Sequence, residues 1–224
     1  MLKPMLQKLK SRFPSYVFTR IYTKRRWKGE SASGAGSSLE QTRAVREALP
    51  GLLRELGAKS LLDIPCGDLH WIKETDLGGV QYIGADIVRP LIERNRRDFA
   101  GSGRRFVIAN LITDPLPQAD AILCRDCLVH LSHKDVLAAL DNVRRSQATW
   151  FIATTYTGER PNVDILTGQW RTLNLQLPPF KLPPPAKLVD EKCTEGDGKF
   201  ADKYLGVWRV ADMMLMAATD TRKS

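Results

Sequence analysis

Three short apolar runs in this chain end in carboxylates. SLLDI carries Asp63 into the turn Pro65-Cys66-Gly67-Asp68, YIGADIV carries Asp86, and DAILCRDCL carries Arg125 and Asp126. A carboxylate at the end of a buried strand is costly unless something binds it, so these turns read as parts of a ligand site. Asp86 follows the first turn by about 20 residues, the spacing at which an acid meets ribose hydroxyls in nucleotide-binding βαβ units. One carboxylate and two hydroxyls make a bidentate, charge-assisted pair. His130, just beyond the third run, is either a proton acceptor or a cap for the helix that opens near Ser132.

Cys124, Cys127, His130 and His133 have a spacing that superficially offers four zinc ligands. Cys124 belongs to an apolar strand, however, and residues three apart on a strand point to opposite faces. No metal is expected.

The elements that must position these groups follow from periodicity. Short apolar runs at SLLDI, YIGADIV, RRFVIANL, DAILCRDCL and TWFIATTY alternate with spacers, of which PLIERNRRDF and HKDVLAALDNVRRS are helical in pattern. This order predicts an α/β fold with a doubly wound, mostly parallel sheet covered on both faces. Ser38 and Gln41 form a capping-box pattern ahead of a helical stripe through Val45, Ala48, Leu52, Leu53 and Leu56. After Tyr156 a proline-rich stretch cannot be central strand. Two last strand candidates, KLVDEKC and KYLGVWRV, are joined by a polar, Gly-containing loop and predict a closing antiparallel hairpin.

With 224 residues and 43% apolar content, the chain can bury a substantial core as one domain plus an arm. No apolar run approaches the roughly 18 residues that a transmembrane helix needs. With four cysteines and no signal-peptide pattern, the expectation is a cytoplasmic protein with free thiols. Nine of the 34 cations lie within residues 1 to 28, which hold no acid, and the remaining 25 balance 25 acids. The basic excess therefore sits on an N-terminal arm, where Leu2, Met5, Leu6, Leu9 and Phe13 predict an amphipathic helix up to Pro14. Such an arm could contact anionic membrane or RNA, or simply form a solvated face. Domains divide as 1 to 38, arm and Gly/Ser loop, and 39 to 224.

The ordered set Asp63, Gly67, Asp86 and Asp126, followed by the hairpin, resembles the class I S-adenosylmethionine-dependent methyltransferases. That resemblance implies a seven-stranded Rossmann-like sheet whose last strand is antiparallel. Its glycine motif is degenerate here, because Pro65 and Leu69 stand where the family usually has glycine. Carried over residue by residue, the resemblance implies that Asp63, Cys66, Gly67 and Asp68 frame the methionine half of the cofactor. Asp86 would hold its ribose, Ile87 would lie against adenine, and Asn110 and Leu111 would meet the adenine edge. Arg125 and Asp126 would flank the transferable methyl, with His130 or Asp126 as base. The other reading of Asp63 and Asp86 is as helix-capping loop acids.

The implied reaction moves a methyl group to oxygen or nitrogen of a small-molecule or glycan acceptor. Trp27 and Glu30 in the WKGESASGAGSS loop mark either a lid or a connector, and Arg171 and Asn174 either a substrate pocket or a rigid crossover. Trp71 and Trp208 read as core. Alternatives are a nucleic-acid or protein methyltransferase guided by the arm, a nonenzymatic membrane- or RNA-targeting module, and an NAD-dependent dehydrogenase. The missing GxGxxG and the closing hairpin count against the last.

Overall fold

The computed structural model describes residues 14–101 and 103–213, so the predicted amphipathic helix before Pro14 lies outside the described residues. Among the described residues a helix begins at Pro14. The fixed φ of proline and its missing donor suit the first turn of a helix, and α1 runs Pro14–Thr23. α2 spans Arg43–Glu55, α3 Arg89–Phe99 and α4 His133–Arg145.

Seven strands form one sheet: β1 Ser60–Asp63, β2 Gln81–Asp86, β3 Arg104–Ile108, β4 Ala121–Cys124, β5 Trp150–Tyr156, β6 Lys187–Asp190 and β7 Lys203–Arg209. Their order is β3-β2-β1-β4-β5-β7-β6, and β7 runs antiparallel to both its neighbours. Each strand overlaps a predicted apolar run, with β2 starting one residue earlier at Gln81, and the closing hairpin is as expected. Strand order reverses between β1 and β4, and the carboxyl ends of these two strands flank the crevice where open α/β sheets bind ligands.

Each face of the sheet has its own apolar layer. Val45, Leu49, Leu52 and Leu53 of α2 and Ile92 of α3 cover one face, and Val136, Leu140 and Val143 of α4 cover the other. Helices are fewer than the alternating pattern implies. The β1 to β2 connection holds only the short turn Ile72–Glu74, anchored by buried Leu69, Trp71 and Leu77, and β3 passes to β4 without a helix. The proline-rich segment after β5 is no mere surface crossover, because its Leu173, Leu175, Phe180 and Leu182 are buried on the α4 face. Trp208 is core, with its indole N–H donating to the Pro183 carbonyl.

The Ser38 signal is displaced. Its hydroxyl accepts from the Gln41 amide at 3.2 Å, but the helix starts only at Arg43. The Gln41 side chain completes no capping box; it pairs with Thr194 of the β6–β7 loop.

Candidate active site

The carboxyl ends of β1, β2 and β4 open into a cavity with an empty volume of about 1030 Å³, part of it continuous with solvent. Its walls include Asp63, Gly67, Asp86, Ile87, Asn110, Leu111, Arg125, Asp126, His130 and Trp27, which are scattered over more than 100 residues of sequence. Crossovers place them together because every parallel strand delivers its last residues to the same edge of the sheet.

Asp63 and Asp86 are both buried. Burial pushes Asp63 up to about 7 against the hydrogen bond from Tyr82 Oη at 2.7 Å, and pushes Asp86 up to about 6. Asp86 accepts from the amides of Val88 at 2.9 Å and Gly67 at 3.3 Å, so it binds the two turns together. Gly67 has φ 55°, and a Cβ there would stand 2.2 Å from Ser33 Oγ. Only glycine lets this turn and the loop before α2 approach so closely. Asn95 of α3, buried, donates to the Gly67 carbonyl at 2.8 Å and holds the turn from behind.

His130 sits on the turn Leu128–His130 that follows β4. Its Nδ1 lies 2.9 Å from the Gln169 carbonyl, which can only accept, so Nδ1 carries the proton and Nε2 keeps its lone pair. Burial lowers its pKa below 6.5, and the ring is neutral at pH 7. Capping α4 falls to Ser132, whose Oγ accepts from the Asp135 amide at 3.2 Å. The indole of Trp27 lies 4.7 Å from the imidazole at a 32° tilt.

No family model matches the sequence, and no curated protein does. Solved structures do. An S-adenosylmethionine-dependent methyltransferase from Leishmania major superposes with a TM-score of 0.64 at 16% identity, covering 90% of this chain and 89% of that one. A 1,6-didemethyltoxoflavin-N1-methyltransferase from Burkholderia thailandensis, solved with 1,6-didemethyltoxoflavin and S-adenosylhomocysteine, gives 0.55 at 18% identity, covering 87% and 86%. Human N-acetylserotonin methyltransferase in complex with S-adenosylmethionine gives 0.52 at 12% identity, covering 87% and 67%. The fold is that of the class I S-adenosylmethionine-dependent methyltransferases.

In the turn after β1, Leu69 adopts φ 59°, a left-handed conformation that glycine takes more readily, and its buried side chain holds it there. Cys66 and Asp68 do not form part of the cavity wall. The thiol of Cys66 turns into the α2 layer, and burial pushes its pKa well up, so it is inert. Asp68 latches the Gly/Ser loop instead, accepting from Ser31 Oγ and the Ala32 amide, both at 2.7 Å. The loop is therefore a fastened wall of the methyltransferase fold rather than a slack connector.

Three of the residues singled out for substrate lie outside the cavity wall. Glu30 is exposed and pairs with His70 at 3.3 Å. Asn174 donates to the Gly158 carbonyl and ties the proline-rich segment to itself. Arg171 is buried, and its fork donates to the carbonyls of Leu128 at 2.8 Å and Leu131 at 2.7 Å. Burial lowers its pKa to about 10, which leaves it charged at neutral pH. It positions the turn that carries His130.

Asp126 lines the cavity but is no base. Burial raises its pKa, but the combined pull of Lys203 at 2.8 Å and Arg125 at 3.2 Å outweighs this and holds it at about 2. Arg125 also forks onto Glu191 at 2.9 and 2.7 Å. Lys203 and Glu191, each 2% exposed, thus join β7 and the end of β6 to the turn after β4 in a buried, charge-balanced group. Neither was singled out from sequence. The signal was present in KYLGVWRV, whose alternation puts Lys203 on the same face as Leu205 and Val207, an improbable place for an unpaired lysine. Lys203→Met is expected to destabilise the protein by about 3–5 kcal/mol in urea melts, since it leaves Arg125 as the one cation between the Asp126 and Glu191 carboxylates and the buried group with a net negative charge. A change below about 1 kcal/mol would show that the group is solvated.

Proposed function

We propose that this chain is an S-adenosylmethionine-dependent methyltransferase that moves a methyl group to an oxygen or nitrogen of a small-molecule acceptor. One observation carries the reading: two buried carboxylates at successive strand ends share a cavity with a neutral histidine whose Nε2 is free to accept a proton.

The donor set fits such a cofactor. Asp63 and Asp86, held above the ordinary carboxylate range by burial, gain from a ligand that brings cationic and hydroxyl donors to them. Asp86 would accept from ribose hydroxyls, Ile87, Asn110 and Leu111 would border the adenine, and Asp63 with the backbone at Gly67 would face the methionine half. When bound, the cofactor supplies an activated methyl on sulfonium. The chain's own task is then to align the acceptor and remove its proton. His130 Nε2 takes that proton. Nδ1–H stays anchored on Gln169, and Arg171 holds the turn beneath. The paired charges of Arg125 and Asp126 fix the polarity of the wall beside it.

S-adenosylhomocysteine at about 100 times its Kd is expected to stabilise the protein by about 2.7 kcal/mol, which for a chain of this size raises Tm by roughly 5–10 °C. NAD should give no shift. If only NAD stabilises the protein, this reading fails. In this reading the basic residues 1–13, including Lys3, Lys8, Lys10 and Arg12, would bind an anionic surface independently of the cofactor site. Their deletion is expected to reduce low-salt retention on phosphatidylserine vesicles and leave S-adenosylhomocysteine affinity unchanged. Unchanged retention would make the basic excess incidental.

A further inference from the structure

The cavity wall holds two chemically different groups of residues. One is ionic, with Asp63, Asp86, Arg125 and Asp126 from the strand ends. The other comprises Pro14, Phe18 and Tyr22, one every fourth residue along a single stripe of α1, together with Trp27 and Leu131. The stripe at i, i+4 and i+8 lies on one side of the helix. Val17 and Ile21 of the same helix seat against Gly168, where a Cβ would meet Val17 Cγ1 at 2.4 Å and push α1 away. Phe18 and Trp27 have their centroids 6.2 Å apart, and Trp27 continues onto the His130 ring at 4.7 Å. A wall of aromatic groups therefore runs up to the one neutral base of the site.

We propose that the acceptor is a planar, largely apolar molecule, an aromatic ring bearing one ionisable hydroxyl or ring N–H, which binds between α1 and the His130 turn. The proposal rests on the methyltransferase reading and narrows it. Of Pro14, Phe18, Tyr22, Trp27 and Leu131, only the Tyr22 hydroxyl and the Trp27 indole N–H can form a side-chain hydrogen bond. A sugar carries hydroxyls around its whole rim, and each one buried without a partner costs roughly 1–3 kcal/mol. A flat ring instead gains from every apolar wall atom it covers and from stacking on Trp27. Its single polar group needs one partner, and His130 Nε2 provides it. In the transfer, the acceptor O–H or N–H proton passes to Nε2, the new O–C or N–C bond forms, and the S–C bond breaks. The sulfonium becomes a neutral thioether, and the positive charge passes to the imidazolium.

The test uses 2-naphthol and methyl α-D-glucopyranoside as probes, titrated calorimetrically into the full chain saturated with S-adenosylhomocysteine. The expected result is that 2-naphthol binds at least ten times more tightly than the glucoside, and that incubation with S-adenosylmethionine yields 2-methoxynaphthalene by mass spectrometry. Phe18→Ala with Tyr22→Ala is expected to weaken 2-naphthol at least tenfold and leave S-adenosylhomocysteine affinity within twofold. Tighter glucoside binding, or no 2-naphthol binding by a protein that does bind S-adenosylhomocysteine, overturns the acceptor class alone. Failure of S-adenosylhomocysteine itself to bind overturns the methyltransferase reading, and the acceptor class falls with it.

Discussion

Replacing His130 with alanine is expected to cut turnover by about 10²–10⁴-fold, the usual contribution of a positioned general base, with S-adenosylhomocysteine binding as before. The expectation rests on three features of the site. His130 lines the cavity, its Nδ1 is committed to the Gln169 carbonyl, and Asp126, the other candidate base, is held at about 2 and is too weakly basic to compete. The pH profile gives a second readout. Because burial lowers the histidine pKa, the working, deprotonated form persists below pH 6.5. The acidic limb of the activity profile should therefore lie below 6.5 in the native chain and be absent from the residual activity of His130→Ala. Arg171→Lys, which loses the planar fork to the Leu128 and Leu131 carbonyls, should lower kcat more than it raises KM. Full turnover by His130→Ala on the true acceptor would show that the acceptor arrives already ionised or loses its proton to water.

The second large effect is a trade between stability and binding at Asp63. Its folded pKa, about 7, lies above the ordinary 3.8, as does that of Asp86, at about 6. For a carboxyl raised in this way the folded chain binds the proton more tightly than the unfolded chain does. The penalty is absent below pH 3.8 and complete above the folded value, so the ligand-free protein should lose stability as pH rises from 4 to 7. At 1.36 kcal/mol per unit, the ionised group costs roughly 4 kcal/mol at Asp63 and roughly 3 kcal/mol at Asp86. Asp63→Asn keeps an oxygen for Tyr82 Oη and removes the charge, so at pH 7.5 the ligand-free variant should be more stable in urea melts. Its S-adenosylhomocysteine affinity should fall about 10–100-fold, the worth of a charge-assisted hydrogen bond. Asp86→Asn should gain less stability, since an amide cannot accept from both the Val88 and Gly67 N–H groups. A ligand-free Asp63→Asn protein that is less stable at pH 7.5 would mean the carboxylate is a structural ion, not a binding group.

Much of this architecture was legible from local pattern alone. Apolar runs fit only buried strands, the helical stripes in PLIERNRRDF and HKDVLAALDNVRRS became α3 and α4, and the hairpin loop forced an antiparallel end to the sheet. Parallel crossovers then bring strand ends to one edge, so Asp63, Asp86 and Asp126 had to converge. Which side chains face the cavity was a different matter. Cys66, Asp68 and Gly67 are consecutive, yet only Gly67 lines the wall, because a turn spreads neighbouring side chains in all directions. Arg171 and Glu30 carry the same charges wherever they point, and only packing shows that one grips backbone carbonyls and the other a surface histidine. Burial decides charge state too: Asp63 and Asp126 are the same residue type at analogous strand ends, but Lys203, 77 residues beyond Asp126, separates their pKa values by bringing a cation to only one of them. The sequence by itself determined the sheet, its hairpin and the edge where chemistry gathers, since these follow from periodicity and chain connectivity. Only the tertiary structure decided the tautomer and neutrality of His130, the inert thiol and the aromatic chamber under α1, since those depend on long-range contacts that no local pattern encodes.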